Sequence, residues 1–353
     1  MQKGVVIKIG TSILTNGTGG VQSAALRHYA KECRRLITDG YAPLLVTSGA
    51  VQIGRSHYPA MQDKKTLASV GQAGLIAHYR TAFSGAGLVV AQLLCSRSDI
   101  AKPKLFAAFQ HTIRMLLENG IVAIVNENDA LTNGESEAFG NNDMLAAVAA
   151  VAMSAEKLLL LTDQEGFYTA DPRSSQSAEL IREIGDVTRE LFACCSAGTS
   201  SHGVGGMIAK LKAARMAIAG GVETIIANGL GNPDMITLIS GASASTRFLA
   251  RRKASDITNH DRRILATQSG AGVLVIDSGA IDALRHRKSL LAVGVREVKD
   301  DFREGDIVEI MDESRHEVGS GMVGISSDSL RLLMKKRTIK DIDVIHCDHL
   351  IMY

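Results

Sequence analysis

The first 242 residues alternate between apolar runs and amphipathic stretches, and this alternation constrains the fold more than any other feature of the chain. Strand-like runs lie at 4–9, 43–47, 87–94, 121–125, 157–161 and 222–227, separated by helix-like stretches at 23–38, 66–83, 104–118, 142–154 and 206–219. Segments such as VVIKI and LLLL are apolar on consecutive residues, as strands buried on both faces must be. Strands of this kind joined by helices pair in parallel through right-handed crossovers. The sequence therefore predicts an α/β three-layer sandwich with a mainly parallel central sheet. In such a sheet ligands sit beyond the carboxyl ends of the strands, so functional residues are expected just after each run.

Composition supports this core. Hydrophobic residues make up 46% and aromatics 4%, with no tryptophan, so the interior is built from Ala, Val, Ile and Leu. A chain of 353 residues has room for about two domains. The texture changes after residue 242. The stretch 243–263 carries Arg247, Arg251, Arg252, Lys253, Arg262 and Arg263 against Asp256 and Asp261, six minus two, or +4, and reads as a linker. From 264 to 353, short strand-like runs separated by turns and one short helix predict a small, mainly β module. Within it, Gly319 to Gly324 matches GxGxxG but lacks a strand–turn–helix context, so a turn is expected.

Other features exclude function classes. The 39 basic and 37 acidic residues nearly cancel, which disfavours nucleic acid as a partner. No apolar run reaches the roughly 18 residues of a membrane span, and the opening MQKGVVIKIGTS has no secretory h-region. Five scattered cysteines, with no CxxC, HExxH or His/Cys cluster at metal spacing, point to a reduced cytoplasmic protein without structural zinc.

Against this apolar background polar residues in five segments stand out. Lys8 lies inside the first apolar run, where an ammonium either snorkels to the sheet rim or faces a bound anion beside the turn Gly10-Thr11-Ser12. Lys210 falls near the first turn of the helix that follows GVGG, where the helix dipole disfavours a cation unless an anion sits there too. Ser48 follows the run LLVT and either caps the next helix or binds a carboxylate. In VNENDALTNGESEAFGNNDMLAA, Asp129 stands just past a strand, Asp143 suits a helix start, and Asn142 is a candidate cap. Thr162 and Asp163 end the run KLLLLTD, a position suited to nucleotide contact or indirect magnesium binding.

Together the stretches VVIKIGTSILT, VTSGAVQIG, ASVGQAGL, VNENDA, GNNDMLAA, LLLLTDQEGFYTADPR and GVGGMIAK resemble the amino acid kinase family, and within it the members that phosphorylate glutamate. The module at 264–353 resembles the PUA domain of its longer members, through VIDSGAIDALRHRKSLL and FREGDIVEI. The resemblance implies ATP-dependent phosphorylation of the γ-carboxylate of L-glutamate with Mg2+, the first step of proline biosynthesis. It implies that Lys8 and Lys210 contact the ATP phosphates and that Asp143 holds both lysines. It assigns nucleotide binding to Thr162, Asp163, Val204, Gly205, Gly206, Met207 and Lys210, and glutamate binding to Ser48, Asp129 and Asn142. It further implies a homo-oligomer, a dimer or tetramer, and proline as feedback inhibitor. The chain departs from the family pattern at Asn141, at Val204 and in the loop 134–139.

The chemistry is consistent with that implication. A γ-carboxylate with a pKa near 4.3 is already ionised at neutral pH, so the reaction needs charge neutralisation rather than a general base. Two other readings compete: another acyl-phosphate-forming kinase, such as one acting on acetylglutamate or aspartate, and an RNA-binding protein working through the PUA-like module.

Overall fold

The computed structural model describes residues 2–15, 20–132, 138–196, 206–250, 252–267, 271–336 and 342–353. The chain divides into two compact units, Met1–Ser255 and Asp256–Tyr353.

The first unit runs β1 (Lys3–Ile9), α1 (Thr11–Leu14), α2 (Ser23–Thr38), β2 (Tyr41–Val46), α3 (Ala50–His57), α4 (Lys64–Ser84), β3 (Val90–Cys95), α5 (Arg97–Ala101), α6 (Pro103–Glu118), β4 (Val122–Glu127), α7 (Asn142–Ala152), β5 (Lys157–Thr162), β6 (Glu183–Ile184), α8 (Arg189–Ser196), α9 (Met207–Ala219), β7 (Glu223–Asn228), α10 (Met235–Ser240) and β8 (Thr246–Phe248). Its eight strands form one sheet in the order β3-β4-β2-β1-β5-β7-β8-β6. Every pairing is parallel except β7 with β8.

Strand periodicity sorts the side chains between two helical layers. Val5, Ile7 and Ile9 of β1 pack with Leu26 and Tyr29 of α2, Leu75, Tyr79 and Phe83 of α4, and Met235 and Leu238 of α10. The intervening residues Val6 and Lys8 therefore face the other layer, in which α7 packs on β1 and on α9. A bond from Gln110 Nε2 of α6 to the Ala152 carbonyl of α7, 2.9 Å, places α6 in that layer as well. Lys8 thus reaches the carboxyl end of a central strand on the α7/α9 side.

The stretch 243–263, expected as a linker, is divided between the units instead. Thr246–Phe248 is a buried strand paired to β7 and β6, because Thr246 and Phe248 can seal the last turn of the sheet, with Thr246 Oγ1 donating to the Ile181 carbonyl at 2.6 Å. Asn259–Ala266 (α11) is a helix of the second unit, started by a Thr258/Asp261 capping box.

The second unit continues with β9 (Val273–Ile276), α12 (Ser278–Arg285), β10 (Leu290–Leu291), β11 (Val295–Lys299), β12 (Ile307–Asp312), β13 (Glu317–Met322), α13 (Ser327–Lys336), β14 (Asp343–Ile345) and β15 (Leu350–Met352). A five-stranded sheet, β11-β9-β12-β13-β15, and a two-stranded sheet, β10-β14, enclose a core around Leu274, Ile310, Leu330 and Val344. The unit is mainly β as expected, but its described residues hold three α-helices rather than one short helix. The GxGxxG match begins inside β13, not in a turn. A Cβ on Gly319 would stand 2.4 Å from the Ile351 carbonyl oxygen, and one on Gly321 would stand 2.8 Å from Ile345. These glycines admit neighbouring chain, and their spacing has no phosphate-binding meaning.

Candidate active site

Three side chains far apart in sequence meet at the carboxyl edge of the sheet. Lys8 is the sixth residue of β1, Asp143 the second of α7 and Lys210 the fourth of α9. Lys8 Nζ lies 2.8 Å from Asp143 Oδ1, and Lys210 Nζ lies 3.1 Å from Asp143 Oδ2. The residues are 8%, 1% and 5% exposed, so both ion pairs are withdrawn from water. Local structure explains the meeting. Asn141 caps α7 by accepting from the Met144 amide at 3.0 Å, which sets Asp143 in the first turn where the dipole favours a carboxylate. The dipole of α9 opposes Lys210 at its own helix start, and Asp143 offsets that cost.

Burial lowers the Lys8 ammonium from its ordinary range, Asp143 raises it in part, and Lys210 lowers it again. Burial by itself would raise the Asp143 carboxyl, but the two lysines outweigh it and hold the carboxyl below its usual range. One carboxylate between two ammonium groups leaves +1 in a buried place, a site matched to an anion.

Beside this triad lies a network of hydroxyls and amides. Thr11 Oγ1 donates to Ser48 Oγ at 2.8 Å, and Ser48 Oγ donates to the Ile9 carbonyl at 3.3 Å. Ser48 is not a cap: Gly49, with φ +102°, occupies the position before α3. Asn142 is not a cap either, since Asn141 does that work. Asn142 Nδ2 instead bonds the Thr47 carbonyl and, at 2.9 Å, Asn126 Oδ1, while Asn126 Nδ2 reaches Gln72 Oε1 at 2.7 Å. Gln72 arrives there because α3 and α4 cross backbone to backbone. A Cβ on Gly71 would stand 1.8 Å from the Ala50 carbonyl oxygen, and one on Gly54 would stand 2.0 Å from that of Leu67. Glycines in VTSGAVQIG and ASVGQAGL thus serve helix packing that positions an amide.

Asp129 is half-buried on the turn after β4, and burial raises its carboxyl. Glu127, at the end of β4, accepts the Phe139 amide at 2.7 Å and is buried. Burial pushes its carboxyl up to about 7, with Asp129 adding to the shift while the Phe139 hydrogen bond and Arg97 oppose it. Thr162 ends β5 and donates through Oγ1 to the exposed Asp163 at 3.0 Å. Gly206 caps α9 and Met207 begins it. Val204, Gly205 and residues 134–137 of the divergent loop lie outside the described residues.

A family model for the amino acid kinase family matches residues 3–228, and one for the PUA domain matches residues 272–345. The chain belongs to the amino acid kinase family. The kinase is 38% identical over 354 residues to a glutamate 5-kinase of Vibrio vulnificus, covering 98% of this chain and 93% of that one. It is likewise 38% identical to the glutamate 5-kinase of Serratia marcescens, covering 93% and 90%. Among solved structures, carbamate kinase from Giardia lamblia bound to AMP-PNP superposes with a TM-score of 0.52 at 17% identity, covering 70% of this chain and 98% of that one, a likeness of fold. As a kinase the chain takes its phosphoryl group from ATP.

Sequence reasoning about this kinase missed Gln72, Asn126 and Glu127. For Asn126 and Glu127 a signal existed. They are polar residues ending a buried strand, the same anomaly that exposed Lys8. Gln72 gave no comparable signal, since only the close crossing of α3 and α4 carries it to the strand ends.

Proposed function

We propose that this kinase transfers the γ-phosphoryl group of ATP to the γ-carboxylate of L-glutamate, giving γ-glutamyl phosphate and ADP, the entry into proline biosynthesis. The buried Lys8–Asp143–Lys210 triad carries the reading, supported by the glutamate 5-kinases that the chain matches over nearly its whole length. Donor and acceptor are both anions, and their repulsion dominates the barrier. Lys8 and Lys210 approach the migrating phosphoryl group from two elements and neutralise the charge on its oxygens. Asp143 reacts with nothing. It fixes both ammonium groups in place before substrate arrives, so their reorganisation costs little during the reaction.

Ser48, Asn142 and Asn126 offer hydrogen bonds to the bound amino acid, and Asp129 with Glu127 forms a doubly acidic corner for its α-ammonium. A substrate ammonium there would favour the ionised form of Glu127, whose carboxyl burial raises. An N-acetylated substrate brings no such cation, which separates glutamate from its acetylated relative. Thr162, Asp163, Gly206 and Met207 belong to the nucleotide side, with Val204 and Gly205 proposed beside them.

Magnesium fits as part of the MgATP substrate. Both Asp143 oxygens are engaged by ammonium groups, whereas Asp163 presents an exposed carboxylate at the sheet edge, a hard oxygen donor suited to magnesium through water. The ion supplies charge neutralisation on the β- and γ-phosphates. We also propose a cytoplasmic homo-oligomer with proline competing at the glutamate corner.

Glutamate-dependent ADP release, with hydroxylamine trapping of the acyl phosphate, tests the reading. Trapped hydroxamate with glutamate, and little with N-acetylglutamate or aspartate, is the expected result. Equal turnover of N-acetylglutamate would overturn it, and a parallel series with proline reads the inhibition.

A further inference from the structure

The second unit ends in a cluster of metal-ligating side chains that phosphoryl transfer does not use. His346, Cys347, Asp348 and His349 are consecutive, and Cys347–His349 forms a single 3-10 turn between β14 and β15. His346 Nδ1 lies 3.9 Å from Cys347 Sγ and 3.5 Å from Asp348 Oδ2, and Cys347 Sγ lies 3.9 Å from Asp348 Oδ1. Among the described residues, these three form the group of His, Cys and carboxylate ligand atoms close enough to share one ion.

The separations have a specific size. In a tetrahedral site with bonds of about 2.0–2.3 Å, ligand atoms stand roughly 3.3–3.8 Å apart. One ligand atom from each residue lies within 4.8 Å of the other two, a spacing that small side-chain rotations close to one triangular face of such a site. As hydrogen bonds the same contacts are poor, since 3.9 Å to sulfur is near the limit of any bond. His346 Nδ1 accepts the Asp348 amide at 3.3 Å, a long bond that a metal would replace as the exposed ring turns toward Sγ and the carboxylate. A second observation points the same way. The His349 ring lies beside that of His346, centroids 6.0 Å apart, and packs on the His260 ring of α11 at 4.7 Å. The Nε2 of His260, on the ring that touches His349, is buried without a hydrogen-bond partner.

We propose that His346, Cys347 and Asp348 bind a divalent transition-metal ion of the zinc class, with the fourth position facing His349. Imidazole with thiolate selects zinc, cobalt or copper over magnesium. Binding forms a metal–sulfur bond and releases the thiol proton to solvent, with no change of oxidation state. The location gives the ion a structural task. β14 belongs to the two-stranded sheet and β15 to the five-stranded sheet, so the liganding turn joins the two. The Ser289 hydroxyl, which accepts the Cys347 amide at 3.2 Å, ties the same turn to the residue before β10. The expectation of no zinc-type cluster overlooked this run, because consecutive ligands fit none of the usual spaced motifs.

Full-length, metal-stripped protein titrated with Co2+ under reducing conditions reads the site directly. One equivalent should bind per chain, with a thiolate-to-cobalt charge-transfer band and the intense visible absorption of tetrahedral cobalt. Zn2+ should displace it and raise Tm. Cys347→Ser should remove the band, and His346→Ala should weaken Zn2+ binding by more than about tenfold. Both variants should keep the parent glutamate-dependent kcat and circular dichroism. A band that persists in Cys347→Ser, cobalt bound without a thiolate band, or uptake only at millimolar metal would each overturn the assignment.

Discussion

The first unit places a carboxylate between two cations twice, at opposite edges of one sheet. At the carboxyl edge Asp143 holds Lys8 and Lys210; at the amino edge Glu223 holds Lys157 at 2.6 Å and Arg247 at 2.6 Å. The two differ in balance and in burial. Glu183 approaches Arg247 at 3.9 Å, so two carboxylates meet two cations at the amino edge and the cluster sums to zero. Side-chain exposures there run from 12% to 60%, and water does the remaining neutralisation. Lys8, Asp143 and Lys210 sum to +1 behind almost no exposed surface. A balanced, wetted cluster fastens strands; an unbalanced, dry one is a place for an anion. Strand direction reinforces the contrast, because only at the carboxyl edge do loops and helix starts surround the charges.

The largest break in this comparison comes from Asp143→Ala. It strands two ammonium groups in a dry site and should cost about 3–5 kcal/mol in urea unfolding. The sign with pH follows from the depressed Asp143 carboxyl. Its stabilisation is present above the unfolded value near 4 and is lost as pH falls through the lower folded value, so Asp143→Asn should flatten the acid limb of the stability curve. A kept acid limb would place the carboxylate's role elsewhere.

Next in size, Lys8→Ala and Lys210→Ala should each lower kcat by on the order of 10²–10³, as lost donors to a charged transition state do. Near-normal turnover in either removes that lysine from the transferring phosphoryl group.

Glu127→Gln sharpens the comparison from the substrate corner. A carboxyl raised to about 7 binds its proton more tightly when folded, so folding stability falls as pH rises from about 4.5 to 7. The amide variant should match the parent at pH 4 and exceed it at pH 8 by on the order of 2 kcal/mol, with a raised KM for glutamate. Equal stability at both pH values would refute the burial argument.

The smallest effect is expected at the amino edge. Lys157→Ala should cost about 1 kcal/mol and leave kcat within about twofold, since Arg247 still pairs Glu223. A kcat loss as large as that of Lys8→Ala would erase the distinction between the two clusters.

Legibility followed the strength of local physics. The central strands were readable because an unbroken apolar run admits few alternatives, and Lys8 was conspicuous for interrupting one. Short elements were not. β8 is three residues of a polar, basic stretch, held by pairing with β7 and β6 and by side-chain bonds to distant segments. Asn141 and Asn142 look equivalent in sequence, and the helix start assigned one to the cap and the other to the site.

The sequence by itself determined the layered α/β core, the order of its elements and the odd lysine in its first strand, because hydrophobic periodicity is a local property of the chain. Only the tertiary structure decided that Asp143 stands between Lys8 and Lys210, that Gln72 and Asn126 join Asn142, and that Glu223 forms a balanced counterpart at the other edge. Those facts depend on how distant segments pack, and charge means one thing in water and another where packing has shut the water out.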